Sequence, residues 1–99
     1  MIFSTSAENG VTVLRIEGEL DANSVPDLRP TLDSIAGQKP PQVVIDLSAL
    51  RLIDSSGVGA IVSLFKTVRG YGGSVTTKGV RAQPLAIFRL LRLDRVLIT

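Results

Sequence analysis

The chain has 99 residues, 44% of them apolar and 20% charged, with eleven bases against nine acids for a net charge of +2. This describes one small domain, 1–99, able to fold alone without covalent staples. It has neither cysteine nor histidine, which excludes disulfides, thiolate or imidazole metal ligation, cysteine nucleophiles and Ser-His-Asp hydrolysis, so no metal or cofactor is expected.

The first predicted element is a hairpin. Ile2-Phe3-Ser4-Thr5-Ser6 and Val11-Thr12-Val13-Leu14-Arg15-Ile16-Glu17 flank Glu8-Asn9-Gly10, and Asn-Gly suits a tight turn that needs positive φ at both central residues. Gly18 and Asp21 then mark a loop. Ser24 before Val25-Pro26-Asp27 predicts a helix start, with a hydroxyl cap, a proline in the first turn and an early carboxylate. Leu28, Leu32, Ile35 and Ala36 form its inward stripe, which ends near Gly37; Pro30 sits within it and lacks an N–H.

After Pro40-Pro41, the run Val43-Val44-Ile45-Asp46-Leu47 reads as a central strand covered on both faces. A second helix is predicted from about Ser56 to Arg69 and ends at Gly70, Gly72 and Gly73. Ser74-Val75-Thr76-Thr77 is a short strand. Pro84 opens a third helix, with Leu85, Phe88, Leu91 and Leu90 placed inward. Val96-Leu97-Ile98 is predicted as the last strand. The expected order is therefore ββαβαβαβ: an α/β domain with a mostly parallel sheet, an N-terminal β-hairpin and about three covering helices.

Charge is unevenly divided. Residues 1–50 carry a net −4 and residues 51–99 a net +6. The arginines of the second half are spaced out, however, and Phe3, Phe65, Phe88 and Tyr71 are too scattered to stack bases. Arg89, Arg92 and Arg95 read as a solvated edge, so no direct nucleic-acid contact is expected. No apolar run approaches the roughly 18–20 residues needed to span a bilayer, and no basic region with an apolar stretch opens the chain. The expected address is cytoplasmic, with no membrane contact.

The informative segment is Leu52-Ile53-Asp54-Ser55-Ser56-Gly57-Val58-Gly59-Ala60, at the strand-to-helix junction where α/β sheets collect functional groups. Asp54-Ser55-Ser56 could serve only to cap the helix. Gly57 and Gly59 each cost roughly 0.8–1 kcal/mol relative to alanine in a helix, which suggests that something approaches the backbone there. At 100° per residue, Val58, Ile61, Val62, Phe65 and Val68 make a core stripe, and Ser56, Ala60, Ser63 and Thr67 make a small, uncharged opposite face. Such a face admits another protein's surface with little side-chain ordering. A phosphate on Ser56 would add about −1.5 to −2 charges at the head of that face. The helix N-terminus would favour it and Asp54 would oppose it.

The segments Gly18-Glu19-Leu20-Asp21, Val43-Val44-Ile45-Asp46-Leu47-Ser48 and, above all, Ile53-Asp54-Ser55-Ser56-Gly57-Val58-Gly59 resemble the STAS-domain family, and within it the bacterial anti-sigma factor antagonists. The resemblance runs in order over almost the whole chain. It implies a protein that binds a serine-kinase anti-sigma factor while unphosphorylated, and so frees a sigma factor. The kinase would inactivate it by phosphorylating Ser56, and a metal-dependent serine phosphatase would restore it. Asp21, Asp54, Ser55 and Gly57 would surround the phosphosite, and Ser56, Gly59, Ala60, Ser63 and Thr67 would meet the partner.

Members of the family commonly continue into a further helix, whereas this sequence stops at Thr99. The sheet face under that helix is therefore expected to be open, or covered by a partner or a second copy. Two other readings are an unmodified assembly subunit of a transport ATPase or larger signalling complex, and a weak nucleotide-binding enzyme. No Gly-x-x-x-x-Gly-Lys-Ser/Thr pattern supports the enzyme, and no catalytic residue is assigned.

Overall fold

The structure is a computed structural model that describes residues 1–98. Its elements are β1 (Ile2–Glu8), β2 (Val11–Leu20), α1 (Val25–Gln38), β3 (Gln42–Ile53), α2 (Ser55–Gly70), β4 (Ser74–Lys78), α3 (Ala82–Leu90) and α4 (Asp94–Leu97). The four strands form one sheet in the order β1-β2-β3-β4. The β1–β2 pair is antiparallel, and β2–β3 and β3–β4 are parallel. The hairpin turns on Asn9 and Gly10, whose φ values of 53° and 82° are those of a type I′ turn.

The chain alternates strand and helix as expected up to β4, and then departs from the expected order, which becomes ββαβαβαα. Val96-Leu97 lies in the short helical turn α4, and only Ile98 reaches the sheet, in a single parallel bridge to Thr77. An apolar run of three residues has no period that separates strand from helix. Here the preceding chain decides: Arg92 takes a left-handed φ of 60°, and Leu93 N–H closes on the Phe88 carbonyl at 2.8 Å, ending α3. The Leu93 carbonyl then accepts from Leu97 N–H at 2.9 Å and starts α4. This early stop also reverses two inward placements on α3. Leu90 and Leu91 are 77% and 51% exposed, and the buried residues of that helix are Pro84 and Phe88.

The sheet is covered on one face. Val43, Ile45 and Leu47 of β3 are buried, with Leu14 and Ile16 of β2 and Val75 of β4, against Leu28, Leu32 and Ile35 of α1, Ile61, Leu64 and Val68 of α2, and Phe88 and Leu97. Val44 and Asp46, read from sequence as covered, are only half-buried. They lie on the open face, where Arg15 donates to Asp46 Oδ2 at 3.1 Å and to Ser48 Oγ at 3.2 Å. The buried Thr77 hydroxyl donates to the Leu97 carbonyl at 3.1 Å, tying α4 to the sheet. Tyr71 Oη donates to the Pro40 carbonyl at 2.7 Å, and burial raises its pKa. No helix among the described residues is long and apolar enough to cross a membrane.

Candidate functional site

The ends of β2 and β3 lie side by side, with Glu19 paired to Leu52 and Leu20 to Ile53. Each strand then leads into a helix, so the β2–α1 and β3–α2 junctions meet at one sheet edge. That adjacency brings Asp21 and Asp54 together. They line a cavity of about 320 Å³ with Glu19, Leu52, Ile53 and Gln83.

Asp54 is the N-cap of α2 and has extended backbone. Its Oδ1 accepts from Gly57 N–H at 2.9 Å, which satisfies one donor of the first turn. Its Oδ2 accepts from Ala22 N–H at 3.1 Å, and its own N–H donates to the Leu20 carbonyl at 3.2 Å. One carboxylate therefore caps α2 and ties it to the loop that opens α1. Asp21 organises that loop: its Oδ1 accepts from Asn23 and Ser24 N–H, both at 3.0 Å. Ser24, expected to cap α1 by its hydroxyl, makes no such bond. It donates instead to the Glu19 carbonyl at 3.0 Å and accepts from Asp21 N–H at 2.9 Å.

With Asp54 capping the helix, the two serines that follow are not needed for that task. Ser55 and Ser56 are exposed, and no side-chain hydrogen bond among the described residues engages either hydroxyl. Ser56 stands in the first turn of α2, near the positive end of a 16-residue helix. Gly59, Ser63 and Thr67 are exposed on the same side of the helix.

Two residues of the segment behave differently from expectation. Ala60, placed on the outward face, is only 1% exposed, so it packs inside and offers a partner nothing. Gly57 does mark a close approach, but the approaching group is the protein's own chain. A Cβ there would lie 2.5 Å from the Leu20 carbonyl oxygen and 2.7 Å from Ile53 Cγ1. This contact draws the Gly57 side of α2 onto the sheet, so Leu64 and Ala60 are buried while Val62 and Phe65 are left half-buried. Gly59 has no atom within 4 Å of its missing side chain and stands open.

Three site residues escaped sequence reasoning. Gln83 Nε2 donates to the Ile53 carbonyl and its Oε1 accepts from Ile53 N–H, each at 2.9 Å, which fixes the end of β3 just before Asp54. Only the fold brings a residue thirty positions away to that strand end. Ala22 contributes a backbone N–H, which side-chain identity does not disclose. Leu52 is 47% exposed at the cavity rim, and its signal was legible: an apolar side chain directly before the buried Ile53. No cluster of three or more acidic residues that could hold a metal ion occurs among the described residues.

The family model described as "Mlab, STAS domain" matches residues 3–99. The anti-sigma-B factor antagonist of Bacillus subtilis (strain 168) is 32% identical over 90 residues, 91% of this chain and 81% of that protein. The anti-sigma F factor antagonist of Paenibacillus polymyxa is 33% identical over 67 residues; the match takes in 67% of this chain but only 57% of that protein's length. Among solved structures, the Bacillus cell fate determinant SpoIIAA in its phosphorylated form superposes with a TM-score of 0.74 at 22% identity, covering 99% of this chain and 89% of that one. The one-sided α/β sheet, the Asp54-capped helix and the match over nearly all of the sequence agree: the chain belongs to the STAS-domain family and is similar to its anti-sigma factor antagonists.

Proposed function

We propose that the protein is a phosphorylation-switched binding module that, unmodified, sequesters a serine-kinase anti-sigma factor and so releases a sigma factor. Ser56 is the acceptor, and Ser56, Gly59, Ser63 and Thr67 form the docking face, with Leu52 at its rim. The observation that carries this reading is the division of labour at the start of α2: Asp54 does the capping, which leaves an exposed hydroxyl with no side-chain hydrogen bond among the described residues. The names of the relatives support the anti-sigma partner, and the phosphorylated state of SpoIIAA supports a modified state for a protein of this fold.

The physical basis of the switch is electrostatic. A phosphoserine carries about −1.5 to −2 charges and three strong acceptors. At position 56 it meets the favourable end of the α2 dipole, so the domain stays folded. The docking face, uncharged at Ser56, Gly59, Ser63 and Thr67, becomes anionic at its head, two residues after the Asp54 carboxylate that caps the helix. A coupling of about 1–3 kcal/mol changes partner affinity about 5–150-fold. A serine phosphatase reverses the change.

The test is incubation with the cognate kinase and ATP, followed by mass spectrometry and partner-binding measurements. One phosphate on Ser56, none on Ser56→Ala, and weaker binding of the kinase by Ser56→Asp are expected. Modification elsewhere, or an undiminished complex with Ser56→Asp, sinks the proposal. A tight complex with a transport ATPase, formed while Ser56 of this chain is never modified, would favour an assembly subunit instead.

A further inference from the structure

We infer that the free edge of β1 is a self-association surface: two copies pair antiparallel through β1 about a two-fold axis at Thr5, joining two four-stranded sheets into one of eight. The argument starts from the phase of the hairpin ladder. A two-residue type I′ turn makes Glu8 and Val11 its closing hydrogen-bonded pair, and antiparallel pairs alternate from there. Ile2, Ser4, Ser6 and Glu8 therefore direct their N–H and C=O groups to β2. Phe3, Thr5 and Ala7 direct theirs outward. No backbone or side-chain hydrogen bond outside the β1–β2 pair engages those three residues among the described residues.

Exposed edges are commonly protected by prolines, lysines, bulges or a covering element. β1 has none of these: its register with β2 is unbroken, its one charge is Glu8 at the end, and all its residues but Phe3 are exposed. The opposite edge differs, since Ile98 bridges Thr77 there and the strand ends in Lys78.

The occupant follows from self-complementarity. An axis at Thr5 sets Thr5 against Thr5 and Phe3 against Ala7 of the second copy, and so pairs every outward N–H and C=O of both strands. On the helix-covered side, large Phe3 then meets small Ala7. On the open side, Ser4 meets Ser6 and Ile2 meets Glu8, so no like charges face each other. An axis at Phe3 or Ala7 would leave outward groups unpaired. α2 packs on β3 and β4, away from β1, so both docking faces stay open at opposite ends of the pair, and the inference does not depend on the role of Ser56.

Sedimentation equilibrium of the full chain up to about 1 mM tests this, with the mass rising from 10.5 kDa toward twice that value. Thr5→Pro removes an outward N–H and leaves the β1–β2 ladder whole; it is expected to weaken association at least about tenfold with an unchanged circular dichroism spectrum. Because the chain has no cysteine, Thr5→Cys under mild oxidation should give a cross-linked dimer, since paired Cα atoms there lie about 5.5 Å apart. Ser34→Cys on exposed α1 should not. A chain that stays monomeric throughout, a dimer that Thr5→Pro leaves intact, or equal cross-linking of both cysteine variants overturns the inference. If Thr5→Pro does not fold, the cross-linking comparison decides.

Discussion

Gly57 lies against the Leu20 carbonyl so closely that a methyl group on it would stand 2.5 Å from the oxygen. Two positions further on, Gly59 has open space where a side chain would be. Two glycines that look equivalent in sequence therefore do opposite things. One lets α2 settle on the end of β2; the other leaves the outward face low.

The pair predicts opposite substitutions. Gly57→Ala must displace backbone or Ile53 and is expected to cost about 1–3 kcal/mol. Gly59→Ala meets nothing and gains helix propensity, about 0.8–1 kcal/mol of stability. Urea unfolding of both variants checks this; equal effects would mean that the close approach to Leu20 is wrong.

Capping and modification separate in the same way. Asp54→Ala removes acceptors for both Gly57 and Ala22 and should cost about 0.5–2 kcal/mol. Ser56→Ala breaks no hydrogen bond and should stay within about 0.5 kcal/mol of the parent. Thermal melts of the two variants provide the measurement, and a Ser56→Ala loss as large as that of Asp54→Ala would return the serine to a capping role.

Gln83 predicts a remote effect on the site. Gln83→Leu leaves the Ile53 N–H and carbonyl without their partners, at about 1–3 kcal/mol if they remain buried. Amide exchange should quicken at Ile53 and Asp54 while the β1–β2 hairpin keeps its protection. Uniform loosening of the whole domain would argue against a local clamp.

Acid stability carries the signature of Asp46. Burial pushes its pKa up, but hydrogen bonds from the Ser48 hydroxyl at 2.7 Å and backbone N–H at 3.0 Å, together with the Arg15 guanidinium, outweigh it and hold the carboxyl below its usual range. A depressed folded-state pKa means that the unfolded chain binds the proton more readily. The stabilisation is therefore full above the unfolded value of about 3.9 and is lost as pH falls through the lower folded value. Asp46→Asn should lower stability at neutral pH and flatten the acid limb of the urea midpoint against pH. An unchanged acid limb would exclude the Asp46 network as a cause.

The local signals in the sequence read well wherever the chemistry is short-range. Asn9-Gly10 specified a primed turn because few other residues accept two positive φ values. The spacing of Leu28, Leu32 and Ile35 specified the buried side of α1, and Asp54-Ser55-Ser56 specified the start of α2. Family membership was legible for the same reason, since the motif segments are continuous in the chain.

Tertiary structure decided what depends on distant partners. Which of two glycines is crowded was settled by Leu20, thirty-seven positions earlier, and the burial of Ala60 followed from how that contact seats the helix. Val96-Leu97 became a helical turn because α3 closes at Leu93 and the Leu97 carbonyl finds Thr77. Val44 and Asp46 stayed half-open because the helices gather on the other face of the sheet. Hydrophobic period and capping preference act over a few residues; helix seating, sheet cover and strand-end clamps come from contacts between segments that only the folded chain brings together.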